Sequence, residues 1–346
     1  NIVIGVKMNR FYLFCIVSLF LFFVVSCDST EPVSHSRLKA VMFARGTTYE
    51  DKAFLQNCKT GMDRAINAFN IYCDYRIYAT DTNYTELVDA AAVDNDLIIG
   101  IGYMWTEAIF EAAGKYPDKK FILVDAELSA PVNNAVSILF DVDEAAYPLG
   151  FLSAWWADSR NDGTPAVGYV GAVDIPQIML FTEPFINGVN RYNEKYSASV
   201  TAYGNYVGTF FSKEAGERIA DSIITLGADV IFGVGSETGQ GALDKAMERG
   251  KAGIGVDVDQ YYSDPEVSSI LISSAMKRLD NAIYTIVESA SKNSFPGGTI
   301  YKGNLRNSGV ATAPYHNFES LIPDSIKAEV EQIKAGIISG EIYTSE

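Results

Sequence analysis

Short apolar runs alternating with helical stretches constrain this chain more than any other feature. The runs 39–44 (KAVMFA), 96–101 (DLIIGI), 120–125 (KFILVD), 135–140 (AVSILF), 166–171 (AVGYVG), 229–234 (DVIFGV) and 252–256 (AGIGV) read as buried strands. Helical periodicity fills 51–70, 83–93, 105–116 and 143–158, and then stretches near 177–195, 212–227 and 239–250. Runs at 74–79, 199–206 and 269–275 add further strands, and helices are expected at 278–292 and near 324–338. Such alternation implies βαβ units and parallel sheets, so the fold class is α/β. About ten strands would make one large sheet, and 346 residues suit two α/β domains, so two sheets are expected.

In open α/β sheets, ligands bind beyond the carboxyl ends of the strands, often at helix N-termini. Thr47, Gly102, Asp125, Gly171, Gly235 and Asp257 sit at such ends, where each also fits a helix cap or a turn. Gly233-Val234-Gly235 is followed by Ser236-Glu237. A Glu inside a phosphate cradle repels the phosphate, which argues against a dinucleotide site. The sequence has no Walker A motif, no H-E-x-x-H, no C-x-x-C and no G-x-S-x-G. His35 and His316 are the only histidines, so neither a metal site nor a cofactor is expected. A net charge of −16 disfavours nucleic acid, whose phosphates such a surface repels. Binding is therefore expected rather than catalysis.

The N-terminal segment addresses the chain to a membrane. Asn9-Arg10 precedes FYLFCIVSLFLFFVV (11–25), an uncharged run of fifteen residues. That is short of the roughly 20 apolar residues of a spanning helix but matches a secretory signal. Val24-Val25-Ser26-Cys27 fits a bacterial lipobox, in which the Cys27 thiol receives the lipid. Residues 1–26 thus read as signal peptide and 27–38 as lipidated Cys and polar tether. The expected location is the bacterial cell envelope, anchored by lipid to an inner or outer membrane, with the rest of the chain in the periplasm or outside the cell. Cys58 and Cys73 remain, and in that compartment they can form a disulfide or stay as two thiols.

An ordered set of motifs resembles the basic membrane protein family, lipoproteins that serve nucleoside ABC transporters as substrate-binding components. Glu50-Asp51-Lys52-Ala53-Phe54 is similar to its D-D-K-S-F segment, and Asp96-Leu-Ile-Ile-Gly-Ile-Gly102 to D-L-I-I-G-x-G. The segment from Tyr116-Pro-Asp to Asp125 resembles Y-P-D-x-x-F-x-x-x-D. Val167-Gly-Tyr-Val-Gly171 with Asp174-Ile-Pro176, Gly227-Ala-Asp-Val-Ile231 and Thr238-Gly-Gln-Gly241 follow in order. Ile254-Gly-Val-Asp257 and Ser274-Ala-Met-Lys277 complete the set.

The resemblance implies a type I periplasmic-binding-protein fold, two Rossmann-like lobes joined by a hinge. Residues 39–139 plus 258–298 would form lobe 1, 140–257 plus 299–316 lobe 2, and 317–346 a C-terminal helix and tail. It also implies a monomer that captures a nucleoside, with a purine the family's usual base, and delivers it to an ABC permease. Phe54 and Phe210 would stack on the base, and Asp257 would accept hydrogen bonds from ribose hydroxyls. Lys277 would contact the sugar or orient that carboxylate, and Asp125 would face the base or cleft. Asp51 and Gly235 match further cleft positions. The chain departs from the family pattern at Leu55, where Asn is usual, and at Arg45, where the family has Asp. A ligand-sensing receptor of the same fold, or a surface lipoprotein binding host or matrix partners, are the alternative functions.

Overall fold

The structure is a computed structural model that describes residues 37–160 and 163–345. The signal segment, Cys27 and His35 lie outside the described residues. The first sheet opens with β1 (Lys39–Arg45), α1 (Phe54–Phe69), β2 (Tyr72–Tyr78), α2 (Tyr84–Asp94) and β3 (Leu97–Ile101). It continues with α3 (Thr106–Lys115), β4 (Lys120–Val124) and β5 (Ala135–Phe140). The chain then crosses through α4 (Asp143–Asp158) into β6 (Ala166–Gly171), α5 (Pro176–Tyr196), β7 (Thr201–Tyr206) and α6 (Lys213–Thr225). Next come β8 (Ala228–Val234), α7 (Ser236–Glu248), β9 (Ala252–Asp257), the short α8 (Gln260–Ser263) and β10 (Leu271–Lys277). The last elements are α9 (Leu279–Ser291), β11 (Thr299–Gly303), β12 (Val310–Thr312) and α10 (Asp324–Ser339).

These strands form two six-stranded sheets, in the orders β11-β5-β4-β3-β1-β2 and β12-β10-β9-β8-β6-β7. Helices cover both faces of a parallel sheet, so its inner strands can be apolar at every position. Accordingly β3, β8 and β9 are buried throughout, whereas the edge strands β2 and β7 are half-buried and more polar. Helix α1 packs Leu55, Cys58, Met62 and Ala65 inward at helical spacing and ends at Asn70 in the left-handed conformation. Cys58 and Cys73 are both free thiols.

Three crossovers tie the lobes together, between β5 and α4, β10 and α9, and β11 and β12. They are laced by backbone bonds from Asp141 N to Gly303 O (2.8 Å) and from Arg278 N to Gly309 O (2.9 Å). The Glu144 carboxylate accepts the Leu305 amide at 2.6 Å.

The crossovers correct the expected lobe boundaries. Residues 258–298 do not all belong to the first lobe, because β10 pairs with β9 and β12 in the second sheet. Conversely β11, expected in the second lobe, pairs with β5 in the first. Within 258–298, α9 returns to the first lobe, where it packs on α1. Gly61 permits that approach, since a Cβ there would lie 2.4 Å from the Asp280 carbonyl oxygen. Sheet membership follows from pairing across the chain, which the apolar run at 269–275 does not encode.

The lobe-2 helices α4 and α5 also meet at glycines. A Cβ on Gly150 would sit 1.9 Å from Phe185 O, and one on Gly188 2.0 Å from Tyr147 O. Gly150→Ala is therefore expected to destabilise the fold by about 1–3 kcal/mol, by forcing two backbones apart. Thermal melting checks this, and an unchanged midpoint would refute it.

Candidate functional site

The carboxyl ends of the two sheets face each other across a cleft. From the first sheet, Arg45 ends β1, Gly102 follows β3 and Asp125 follows β4. From the second, Gly235 follows β8, Asp257 ends β9 and Lys277 ends β10. All six line one cavity, together with Phe54 at the start of α1 and Phe210 in the loop before α6. Asp125 and Asp257 adopt left-handed backbone conformations (φ 60° and 66°), which turn the chain sharply off the strand end. Such positions store strain that the surrounding sheet must hold in place.

A buried charge cluster occupies the cavity end nearer the crossovers. Lys277 is 3% exposed and Asp257 6% exposed. The Lys277 ammonium bonds both carboxylate oxygens of Asp125, at 2.9 and 2.8 Å. Lys277 therefore pairs with Asp125, while Asp257 acts on it through charge. Burial alone would lower the Lys277 pKa, but the Asp125 and Asp257 carboxylates outweigh it and the net shift is upward. Burial pushes the Asp257 carboxyl up to about 7, against the opposing pull of Lys277. The same ammonium lies 5.5 Å from the Phe54 ring centroid and 5.1 Å from that of Phe181.

Asp51 is not itself in the cavity lining but lies beside it, where the hydroxyl of the lining residue Ser236 donates to its carboxylate at 3.4 Å. Its carboxylate accepts the amides of Ala53 (3.1 Å), Leu55 (3.0 Å) and Gln56 (3.0 Å), capping the start of α1. It thereby sets the position of Phe54. Burial raises its pKa, partly offset by those amides.

Several lining residues escaped the sequence reading, among them Tyr103, Gln177, Phe181 and Phe211. Gln177 and Phe181 are four apart at the start of α5, on one helical face, just after Asp174-Ile-Pro176. That spacing was a usable signal. Phe211 adjoins Phe210, with ring centroids 6.2 Å apart.

Contacts from lobe to lobe bridge the cleft, some at its rim and some at the cavity wall. Lys52 bonds Asp264 at 2.8 Å, and the Thr47 hydroxyl bonds Glu237 at 3.0 Å. The Asn57 amide donates to the Lys277 carbonyl at 2.7 Å, and the Arg45 guanidinium lies 4.6 Å from the Phe211 ring centroid. Hence the lobes are in contact around an aromatic-walled, charged cavity.

Two parallel α/β lobes joined by three crossovers, with an aromatic and charged cavity between their strand ends, define a solute-binding protein of the type I periplasmic fold. The chain belongs to the ABC transporter substrate-binding protein PnrA-like family, whose sequence profile matches residues 38–343. It is 29% identical over 312 residues to an uncharacterized lipoprotein of Pyrococcus furiosus, covering 86% of this chain and 75% of that one. It is 25% identical over 340 residues to basic membrane protein A of Borreliella burgdorferi, covering 97% and 95%. A solute-binding protein of an ABC transporter system from Aeropyrum pernix superposes with a TM-score of 0.82 at 26% identity, over 88% of this chain and 92% of that one. The family and this structural neighbour are solute-binding proteins, not enzymes. No helix among the described residues is long and apolar enough to cross a membrane.

Proposed function

We propose that this chain captures a nucleoside between its lobes and delivers it to an ABC permease, while anchored to the membrane through lipidated Cys27. The observation that carries this reading is the pairing of Phe54 and Phe210, one from each lobe, in a cavity that also holds the buried Asp257 carboxylate. Aromatic rings suit the faces of a planar base. An ionised carboxylate is acceptor-only and can hold two hydroxyl donors, as a ribose offers. A ligand touching both lobes favours the closed form by its differential affinity for it, and the permease would recognise that form.

Native mass spectrometry of the full-length chain released from detergent micelles, with a nucleoside panel, tests the reading. A bound nucleoside mass is expected, and no mass with any nucleoside would refute it. Phe54→Ala and Phe210→Ala should each weaken binding by roughly 1–3 kcal/mol, the value of one base–aromatic stack. Titration calorimetry reads this, and losses below about 0.5 kcal/mol would rule out stacking.

A further inference from the structure

The two ends of the cavity differ in chemistry. The acidic end, with Asp125, Asp257 and Lys277, lies on β4, β9 and β10, toward the crossover side of both sheets. Arg45 ends β1, two strands beyond β4 in the first sheet. Two strand spacings separate Asp125 from Arg45 within this sheet by about 10 Å, comparable with the long dimension of a nucleoside. A ligand whose hydroxyls meet Asp257 therefore turns its far edge toward Arg45.

Arg45 is held in place there. Its Nε donates to Asp81 at 3.3 Å and its Nη1 to the Ala79 carbonyl at 2.5 Å. The Tyr84 hydroxyl donates to Asp81 at 3.1 Å and accepts a hydrogen bond from Arg45. The guanidinium packs on the Phe211 ring, and its side chain is 14% exposed. Of its five N–H donors, the partners just named take three. An arginine is always charged and has no acceptor. Beside it, Leu55 contributes only apolar surface to the cavity.

We propose that Arg45 reads the ring edge of the ligand and selects bases that present a carbonyl oxygen over bases that present an amino group. Inosine, with a carbonyl oxygen on ring carbon 6, belongs to the first class, and adenosine, with an amino group on the same carbon, to the second. This inference rests on the nucleoside reading above. A carbonyl oxygen answers the spare donors, whereas an amino group sets donor against donor and leaves both unpaired in a part-buried site. Gln177 does not reverse this choice, because its amide can donate or accept.

Calorimetry of the full-length chain in detergent with inosine and adenosine, which differ only along that edge, provides the test. Inosine is expected to bind about tenfold or more tightly. Arg45→Met keeps the apolar stem and removes the donors, so it should bring the ratio within about threefold by loss of inosine affinity alone. Should Arg45→Met fail to fold, Arg45→Lys keeps the charge without the planar fork and should give an intermediate ratio. Equal affinities in the parent chain, or a ratio unchanged by these substitutions, overturns the assignment of Arg45 and leaves the nucleoside reading standing. Failure of every nucleoside to bind overturns both.

Discussion

Asp257→Ala should lower affinity for a nucleoside by about 3 kcal/mol, roughly a hundredfold, while leaving affinity for the free base nearly unchanged. The estimate takes two ribose hydroxyls, each bonded to a charged acceptor at about 1.5 kcal/mol. Titration calorimetry with a nucleoside and its base separates the two effects. Equal losses for both would remove Asp257 from the ribose site. The parent chain should also bind nucleosides more weakly as pH falls below about 7, where the buried carboxyl takes up its proton and ceases to be a pure acceptor. Asp257→Ala should lack that dependence. Loss of affinity need not bring loss of stability. Folding raises this pKa from an ordinary 3.8 to about 7, so the group favours the unliganded fold below its ordinary value. That contribution is lost as pH rises through about 7, and the ionised form then works against the fold.

Lys277→Met is expected to destabilise the protein by about 3–5 kcal/mol near neutral pH. The substitution removes the cation that bonds both oxygens of Asp125 and leaves Asp125 and Asp257 facing each other without compensation. Urea denaturation reads the loss. Raising the pH should deepen it, because the Asp257 carboxyl, no longer held down by Lys277, then ionises and adds a second uncompensated negative charge. Lys277→Met combined with Asp125→Leu should recover most of the loss, since replacing a buried pair by apolar groups is often close to neutral. A loss under about 1 kcal/mol, or no recovery in the double variant, would mean that this pair does not hold the site. By contrast, the partly exposed Lys52–Asp264 and Lys52–Glu266 contacts across the cleft rim are each expected to contribute far less.

Much of the architecture is legible in the chain itself. Continuous apolar runs such as 96–101 and 229–234 can be strands only if both faces are covered, which implies parallel sheets flanked by helices. The strand-end positions Asp125, Gly235 and Asp257 follow from the same periodicity, because a strand that stops before a helix presents its last residues to the cleft. Short elements were less legible. The strands β11 and β12 (Thr299–Gly303 and Val310–Thr312) carry little alternation and are defined by the partners they join. Helix α7 starts at Ser236, three residues before the start expected near 239, because Gly235 makes the turn at φ 106°.

What the sequence determined by itself was therefore the α/β class, the strand ends that carry the site, and the aromatic and carboxylate residues available there. Local periodicity and turn chemistry write these along the chain. The tertiary structure alone decided which sheet receives β10 and β11, that Lys277 pairs with Asp125, that Asp51 holds the amides at the start of α1, and that Gln177, Phe181 and Phe211 join the lining. Each of these depends on distances between residues far apart in the chain. Lys277 and Asp125 are 152 positions apart, and only the packing of two lobes brings their charges within 3 Å in a part-buried site.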